Sequence, residues 1–262
     1  MFTKDSSLVK ITKIKNLGGN RFRLRLKASK IHRLCRPGQF FNIGFPDMSP
    51  YLPRPFSVYE SYPETGELDF LIAYVGKGTK KLTECQTGSS LRLIGPLGNG
   101  FPLMPEKSHH IYIAGSIGLA PFIELFKELR RLNDASKHTL IYGCRNVEEL
   151  VDRSFLDGLD WDVHYTTDDG SYGHKGYVTD VLNSFTPPKN SAYYSCGPTL
   201  MMKAVNKLVD QRKEPCWVSM EEHMACGIGI CKGCVIHNEN VRPPLKTICK
   251  TGPVFRGSDI FI

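Results

Sequence analysis

Four cysteines near the C-terminal end of the chain have the spacing of an iron–sulfur site. Cys226, Cys231 and Cys234 form a C-x4-C-x2-C run, and Cys249 follows fifteen positions later. Four thiolates at this spacing are typical of a [2Fe–2S] site. A structural zinc site usually has two paired C-x2–4-C knuckles, but here the second pair is missing because Cys249 stands alone. A set of disulfides requires an oxidising compartment, of which the sequence gives no sign. The sequence therefore favours the cluster over these two alternatives.

A second candidate site combines an arginine, a rigid proline and a hydroxyl group with a glycine-rich helix start. In Arg54-Pro55-Phe56-Ser57, which opens a predicted strand, the guanidinium can clamp a pyrophosphate and the extended backbone can bond the edge of a ring system. The GKGT tetrapeptide at 76–79 begins a helix-like stretch, whose free N–H groups can bind phosphate oxygens. Each tetrapeptide alone is weak and can be an ordinary strand start or turn. Separated by one hairpin, they predict a flavin dinucleotide site.

Two glycine-containing loops follow predicted strands and suit a second dinucleotide. In AGSIGLAP at 114–121, Gly115 and Gly118 permit a close backbone approach just before a helix. The loop lacks the full G-x-G-x-x-G spacing, so a glycine-rich loop without a ligand stays an alternative. The tripeptide Cys196-Gly197-Pro198 also lies between a strand and a helix. In a doubly wound sheet both loops lie at the carboxyl ends of strands, where ligands bind, which indicates a site for the pyrophosphate of a dinucleotide.

Two kinds of sheet must position these residues. Up to about residue 103, short alternating runs such as FRLRLKA and LDFLIAYV are separated by turn signals, and this pattern predicts an antiparallel β-barrel. Further on, compact strands such as HHIYIAG alternate with helix-like stretches such as VEELVDRSFLDGL, and this predicts a doubly wound parallel sheet. We expect a multidomain β plus α/β fold, with an FAD-binding barrel at 1–103, an NAD-binding domain at 104–215 and a small cluster module at 216–262.

The composition argues against other classes of function. The net charge is +8, but Lys and Arg are scattered over strand and helix faces, so nucleic-acid binding is not expected. No apolar run has the length of a signal peptide or a membrane span, so we expect a cytoplasmic protein that does not contact membranes. His109 and His110 have no partner at ligand spacing and are expected on the surface. The acidic segment Glu221-Glu222-His223 is expected to be solvated.

The order of the motifs resembles a known family. RPFS, GKGT, AGSIGLAP, CGP and the cysteine run follow one another as in the ferredoxin–NADP reductase superfamily with an added C-terminal [2Fe–2S] domain. Four further segments narrow the resemblance: GPLGNGFP at 95–102, TDDGSYGHKG at 167–176, MACGIGICKGC at 224–234 and CKTGPVFRG at 249–257. Over essentially the whole chain the sequence resembles the electron-transfer subunits of bacterial, NAD-dependent dihydroorotate dehydrogenases.

This resemblance implies particular site residues. It implies FAD contacts at Arg54, Pro55, Phe56, Ser57, Leu71, Ile72, Ala73, Gly78 and Thr79, and cluster ligation by Cys226, Cys231, Cys234 and Cys249. Where related subunits usually read GGGIG this chain reads AGSIG, so Ser116 departs from the family pattern. Arg145 can be a ligand for the 2′-phosphate of NADP or only a charge at a helix start, and the sequence leaves that choice open.

The resemblance also implies a place in a chain of electron carriers. A catalytic partner subunit would oxidise dihydroorotate on FMN in de novo pyrimidine (UMP) biosynthesis, and electrons would pass through the cluster and FAD to NAD+. A [2Fe–2S] cluster carries single electrons, whereas FAD can collect them and release a hydride. The subunit would then hold no catalytic residue of its own and would form a heterotetramer with two copies of each subunit. The alternatives are a reductase subunit of a ferredoxin-dependent transhydrogenase, sulfide dehydrogenase or oxygenase, and a non-enzymatic zinc-binding or redox-sensing protein.

Overall fold

A computed structural model describes residues 5–29, 35–132, 136–237 and 245–261. The chain divides into two compact units. The first comprises Met1–Phe101, Ala120–Leu125 and Glu221–Val254, and the second comprises Pro102–Leu119, Phe126–Met220 and Phe255–Ile262. None of the helices in the described ranges combines the length and apolar character that a bilayer span requires.

The first unit is built on an antiparallel sheet. Its strands are β1 (Asp5–Gly18), β2 (Arg21–Lys27), β3 (Phe40–Gly44), β4 (Arg54–Ser57), β5 (Glu60–Tyr62), β6 (Glu67–Ala73) and β7 (Ser90–Leu97), and the short helix α1 (Lys77–Thr83) follows β6. The hydrogen-bonded order is β4-β3-β7-β1-β2-β6-β5. The predicted antiparallel architecture is confirmed, although no ladder closes this sheet into a barrel in the described part of the chain.

Strand alternation explains how this sheet buries one face. Along β2 the apolar Phe22, Leu24 and Leu26 enter the core, while the arginines between them point to the opposite face. On β3, Phe41 and Ile43 enter the same core. Residue 42 between them therefore faces away from this core.

From residue 109 to residue 219, a region that belongs mostly to the second unit, six strands alternate with helices. The strands are β8 (His109–Gly115), β9 (Lys137–Cys144), β10 (Asp162–Thr167), β11 (His174–Lys175), β12 (Ser191–Cys196) and β13 (Cys216–Ser219). The helices are α2 (Ala120–Arg131), α3 (Arg153–Asp157), α4 (Val178–Ser184) and α5 (Thr199–Gln211). The helix-like stretch at 147–159 is interrupted, because Asp152 takes a left-handed φ of 53° before α3.

The rest of the chain contributes small elements. A two-stranded sheet pairs β14 (Val235–His237) with β15 (Leu245–Thr247), and α6 (Ile248–Thr251) follows at once. Strand β16 (Val254–Arg256) joins the second sheet, whose order is β11-β10-β9-β8-β12-β13-β16. The pairs that β8 forms with β9 and β12 are parallel, so the predicted doubly wound sheet is confirmed.

The two histidines of β8 correct a sequence-based expectation. His109 and His110 are buried rather than on the surface. The Nε2 atom of His109 lies 2.9 Å from Thr139 Oγ1, and Nδ1 of His110 lies 3.2 Å from Tyr194 Oη. Burial, followed by the charges of His110 and Lys137, lowers the pKa of His109. The expectation failed because a central parallel strand is covered on both faces, so its polar residues are buried too.

Candidate cofactor sites

The structure brings the two predicted flavin-binding segments together. Arg54 lies at the start of β4, and its Nη1 donates a hydrogen bond to the carbonyl of Leu52. A Cβ built on Gly78 would lie 2.7 Å from the Arg54 Cζ, so the guanidinium rests directly on the first turn of α1. N–H groups of a first helical turn have no partner within the helix, and this turn carries no acidic residue. A guanidinium and the free N–H groups of a helix start can both donate hydrogen bonds to phosphate oxygens, so together they suit a pyrophosphate.

The other predicted flavin residues surround this point. Strand β4 packs against β6, which carries Leu71, Ile72 and Ala73. Ile72 belongs to the core, whereas Ala73 is only half-buried. The Thr79 hydroxyl accepts hydrogen bonds from the N–H groups of residues 75 and 76, both at 3.1 Å, and so closes the turn that presents the helix start.

The four cysteines of the cluster motif form two pairs. The Sγ atoms of Cys234 and Cys249 are 3.1 Å apart, and Cys226 Sγ accepts hydrogen bonds from the backbone N–H of Cys231, at 3.4 Å, and from its thiol. In the described ranges no group of three or more His, Cys, Asp or Glu side chains is placed to hold a single metal ion. Two thiol pairs fit a two-iron cluster, in which each iron takes two protein ligands.

The surroundings of the sulfurs also fit thiolate ligands. The N–H of Gly233 donates to Cys231 Sγ at 3.4 Å, and the N–H of Cys249 donates to Cys234 Sγ at 3.5 Å. Burial acts to raise the pKa of Cys226, but hydrogen bonds from the N–H groups around it outweigh burial and bring the pKa to about 6. Burial, with the Cys234 thiol, raises the pKa of Cys249 to about 12. Cluster binding must therefore displace the Cys249 proton.

The two dinucleotide loops meet at the edge of the second sheet. Cys196 at the end of β12 is level with Ala114 of β8, and the strand order reverses between these neighbours. Such a reversal is where doubly wound sheets bind ligands. A Cβ built on Gly118 would overlap the carbonyl of Cys196 and lie 2.7 Å from the nitrogen of Gly197. Backbone therefore packs directly on backbone at this point.

Three further residues lie in or near the loops of the predicted NAD site. Ser116 has a φ of 56°, a left-handed conformation that favours glycine over serine. The Cys196 thiol is buried, and Pro198 precedes α5, where its carbonyl accepts a hydrogen bond from the Met202 N–H at 3.0 Å. Arg145 donates from Nε to Glu149 Oε1 at 2.8 Å, and this bond raises its pKa.

Comparison with known proteins places the chain in a family. It is 37% identical over 227 residues to the electron transfer subunit of dihydroorotate dehydrogenase B (NAD(+)) from Clostridium acetobutylicum, with 87% of each chain covered. The corresponding subunit of Geobacillus kaustophilus is 32% identical over 92% of this chain and 93% of its own. The chain belongs to the family of dihydroorotate dehydrogenase B electron transfer subunits. Family models match at 221–261 (iron–sulfur cluster binding domain of dihydroorotate dehydrogenase B), 112–207 (oxidoreductase NAD-binding domain) and 8–101 (oxidoreductase FAD-binding domain).

Solved structures of other oxidoreductases share the fold of this chain. A chain from the NADH-dependent reduced ferredoxin-NADP oxidoreductase structure has a TM-score of 0.85 and 27% identity, covering 97% of this chain and 90% of that one. Phthalate dioxygenase reductase has a TM-score of 0.64 at 20% identity, covering 78% and 64%, and shares the fold.

Sequence reasoning missed one residue that holds the cluster segment of this family member in place. Asn99 lies within GPLGNGFP, a segment to which the sequence by itself assigns no role. Its Nδ2 donates to the carbonyls of Thr251 and Val254 at 3.1 and 2.8 Å, and its Oδ1 accepts from the Val254 N–H at 3.0 Å. The motif and the CKTGPV turn after Cys249 are therefore clamped together. The only signal was a polar residue between glycines.

Replacing Asn99 with Ala should loosen the segment that carries Cys249. Removing three hydrogen bonds is expected to cost about 1–2 kcal/mol of unfolding free energy in the first unit and to speed iron loss to a chelator. Thermal unfolding and chelation kinetics measure both effects. Asn183, which is exposed on α4, is the control, because its replacement by Ala should change neither quantity. Equal behaviour of the two variants would show that the Asn99 clamp contributes nothing.

Proposed function

We propose that this chain is the electron transfer subunit of an NAD-dependent dihydroorotate dehydrogenase in de novo pyrimidine biosynthesis. It would take electrons from the FMN of a catalytic partner subunit and deliver them to NAD+. When bound, the cluster and FAD allow electrons to arrive singly and to leave as a hydride. The observation that carries the proposal is the pairing of Cys226 with Cys231 and of Cys234 with Cys249, in a chain 37% identical to a subunit of that name.

The residues of this chain have binding and positioning roles in the proposal. Arg54 and the first turn of α1, with Gly78 and Thr79, hold the FAD pyrophosphate, while Pro55, Phe56, Ser57 and the β6 residues Leu71, Ile72 and Ala73 line the rest of the flavin. The backbone at Gly115, Gly118, Cys196, Gly197 and Pro198 receives NAD. The packing of Arg54 on Gly78 and of Gly118 on Cys196 supports these assignments. No side chain acts as substrate acid or base, because the substrate is oxidised on the partner.

The proposal extends to organisation and assembly. We divide the chain into functional parts at 1–103 for FAD, 104–215 for NAD and 216–262 for the cluster, and the three family-model matches support this division. The family name implies a catalytic partner subunit. We propose a heterotetramer with two copies of each subunit, in the cytoplasm, where the nine cysteines stay reduced unless a cluster ligates them.

Reconstitution with the partner tests the function. The chain is coexpressed with an FMN-containing dihydroorotate dehydrogenase catalytic subunit, and the copurified complex is assayed for NADH formation from dihydroorotate and NAD+. We expect NADH from the complex and none from either subunit alone. A complex that contains FMN, FAD and iron at full occupancy, yet forms no NADH with dihydroorotate, would overturn the proposal.

The similarity to the ferredoxin-NADP oxidoreductase chain favours a second candidate, a reductase subunit that exchanges electrons with ferredoxin. The same preparation separates the two functions. Reduction of ferredoxin by NADH with no response to dihydroorotate would favour this second candidate.

A further inference from the structure

Asn42 is a buried amide whose hydrogen-bonding capacity is unused. The residue is fully buried in the middle of β3. Neither its Nδ2 nor its Oδ1 has a hydrogen-bond partner among the residues that the structure describes. Buried polar side chains are nearly always satisfied, so an amide with both ends unpaired calls for a ligand.

Strand register shows where this amide points. Asn42 is paired with Pro55 of β4, the second residue of the RPFS segment. Its neighbours Phe41 and Ile43 face the core of the first unit. Because side chains alternate along a strand, Asn42 and Pro55 share the other face of the sheet. The amide therefore lies on the strand pair that carries the proposed flavin segment, on the face away from the core.

The loop that covers this face is the cysteine loop. A Cβ built on Gly227 would overlap the Nδ2 atom of Asn42 and lie 3.2 Å from Leu97 Cδ1. Gly227 has a φ of 67°, so position 227 requires glycine for its backbone conformation as well as for space. It directly follows Cys226. The donor end of the amide is thus aimed at the loop that presents Cys226 and Cys231.

We propose that Asn42 is a positioning residue for the iron–sulfur cluster: its Nδ2 donates a hydrogen bond to sulfur held by the 226–231 loop and raises the cluster's reduction potential. This inference rests on the proposed function, in which that loop holds the cluster. Cluster sulfurs are acceptors, so they match the donor end of the amide. A donor stabilises the more negative, reduced cluster, and hydrogen bonds to sulfur are an established means of tuning such potentials.

Asn99, in the same unit, is an asparagine whose hydrogen bonds explain its presence by structure alone. Both ends of its amide form hydrogen bonds with backbone groups of the 251–254 turn. Asn99 is exposed, whereas Asn42 is fully buried and neither end of its amide has a hydrogen-bond partner among the described residues. If Asn42 only filled space, an apolar residue of the same size would serve better, because replacing an unsatisfied polar group by an apolar one of similar shape is neutral or stabilising.

The test is the variant Asn42→Leu, which keeps the size and removes the donor. Iron, sulfide and FAD are counted per chain, and an EPR-monitored redox titration gives the midpoints of cluster and flavin. At a fixed potential the reduced-to-oxidised ratio of the cluster should fall about tenfold, a midpoint ~59 mV lower for one electron. The FAD midpoint in the same titration should not move. The iron-free variant should unfold at the wild-type temperature or higher.

The outcomes separate this inference from the function on which it rests. A fully loaded Asn42→Leu protein with the wild-type cluster midpoint and EPR signal would overturn the role of Asn42 and leave the proposed function intact. A wild-type protein that binds no cluster would overturn both. If the Leu variant does not load, Asn42→Val decides, because valine is smaller, suits a strand and also lacks the donor: the midpoint should fall by the same amount, and an unchanged midpoint again overturns the role.

Discussion

Cys231→Ser is expected to abolish electron transfer from the catalytic subunit to NAD+ while leaving NADH-dependent reduction of an artificial dye intact. Serine replaces a soft thiolate by a hard hydroxyl that stays protonated at neutral pH, and iron–sulfur clusters are held by thiolates. The NADH-to-dye reaction uses only FAD and the nicotinamide site. We expect the coupled rate to fall by at least about a hundredfold.

Iron and sulfide content, the visible spectrum and the two activities check this expectation in one preparation. Cys85→Ser is the matched control, because Cys85 lies in the same unit outside the cluster motif. Its thiol donates to the carbonyl of Lys81 at 3.4 Å, and a serine hydroxyl can make the same bond. The control should keep cluster and both activities. Dihydroorotate-driven NADH formation at the wild-type rate in the Cys231→Ser complex would refute the proposed order of carriers.

Local sequence patterns were sufficient to predict those features of the molecule that short stretches of the chain determine. Strand alternation predicts the antiparallel sheet, and apolar strands between helices predict the parallel one. The cysteine run lies in one short loop, so its spacing carries chemical information before any tertiary structure is known. The family models for the iron–sulfur, FAD and NAD domains match these three regions.

The contacts that the sequence did not reveal join residues far apart in the chain. Asn42 and Gly227 meet only because the cysteine loop packs on β3, and Asn99 reaches a turn more than 150 positions later. His109 and His110 are buried because strands on both sides and helices above and below surround β8, which no local pattern reports. Register and packing decide such contacts, and a single sequence shows neither.

The close packing of Gly118 on Cys196 leads to the second large expected effect, that of Gly118→Ala. The added methyl group would overlap the carbonyl of Cys196 and approach the nitrogen of Gly197 within 2.7 Å. Both contacts are backbone, so neither can move aside as a flexible side chain would. Overpacking of this kind is expected to lower the unfolding free energy of the second unit by about 3 kcal/mol. NADH binding should weaken by about tenfold, or ~1.4 kcal/mol, because both loops change shape together.

Gly158→Ala is the matched control, since Gly158 is in the same unit and an added Cβ there would meet its nearest atoms at 3.4 and 3.5 Å, ordinary contact distances. It should unfold and bind NADH like the wild type. Thermal unfolding reports the packing effect, and NADH titration of the FAD-loaded protein reports the loop. A Gly118→Ala protein that is destabilised but binds NADH normally would separate the packing effect from the binding effect. It would mean that the backbone contact between Gly118 and Cys196 supports the sheet without receiving the dinucleotide. Cluster content should be unchanged in both variants, because the four cysteines belong to the first unit.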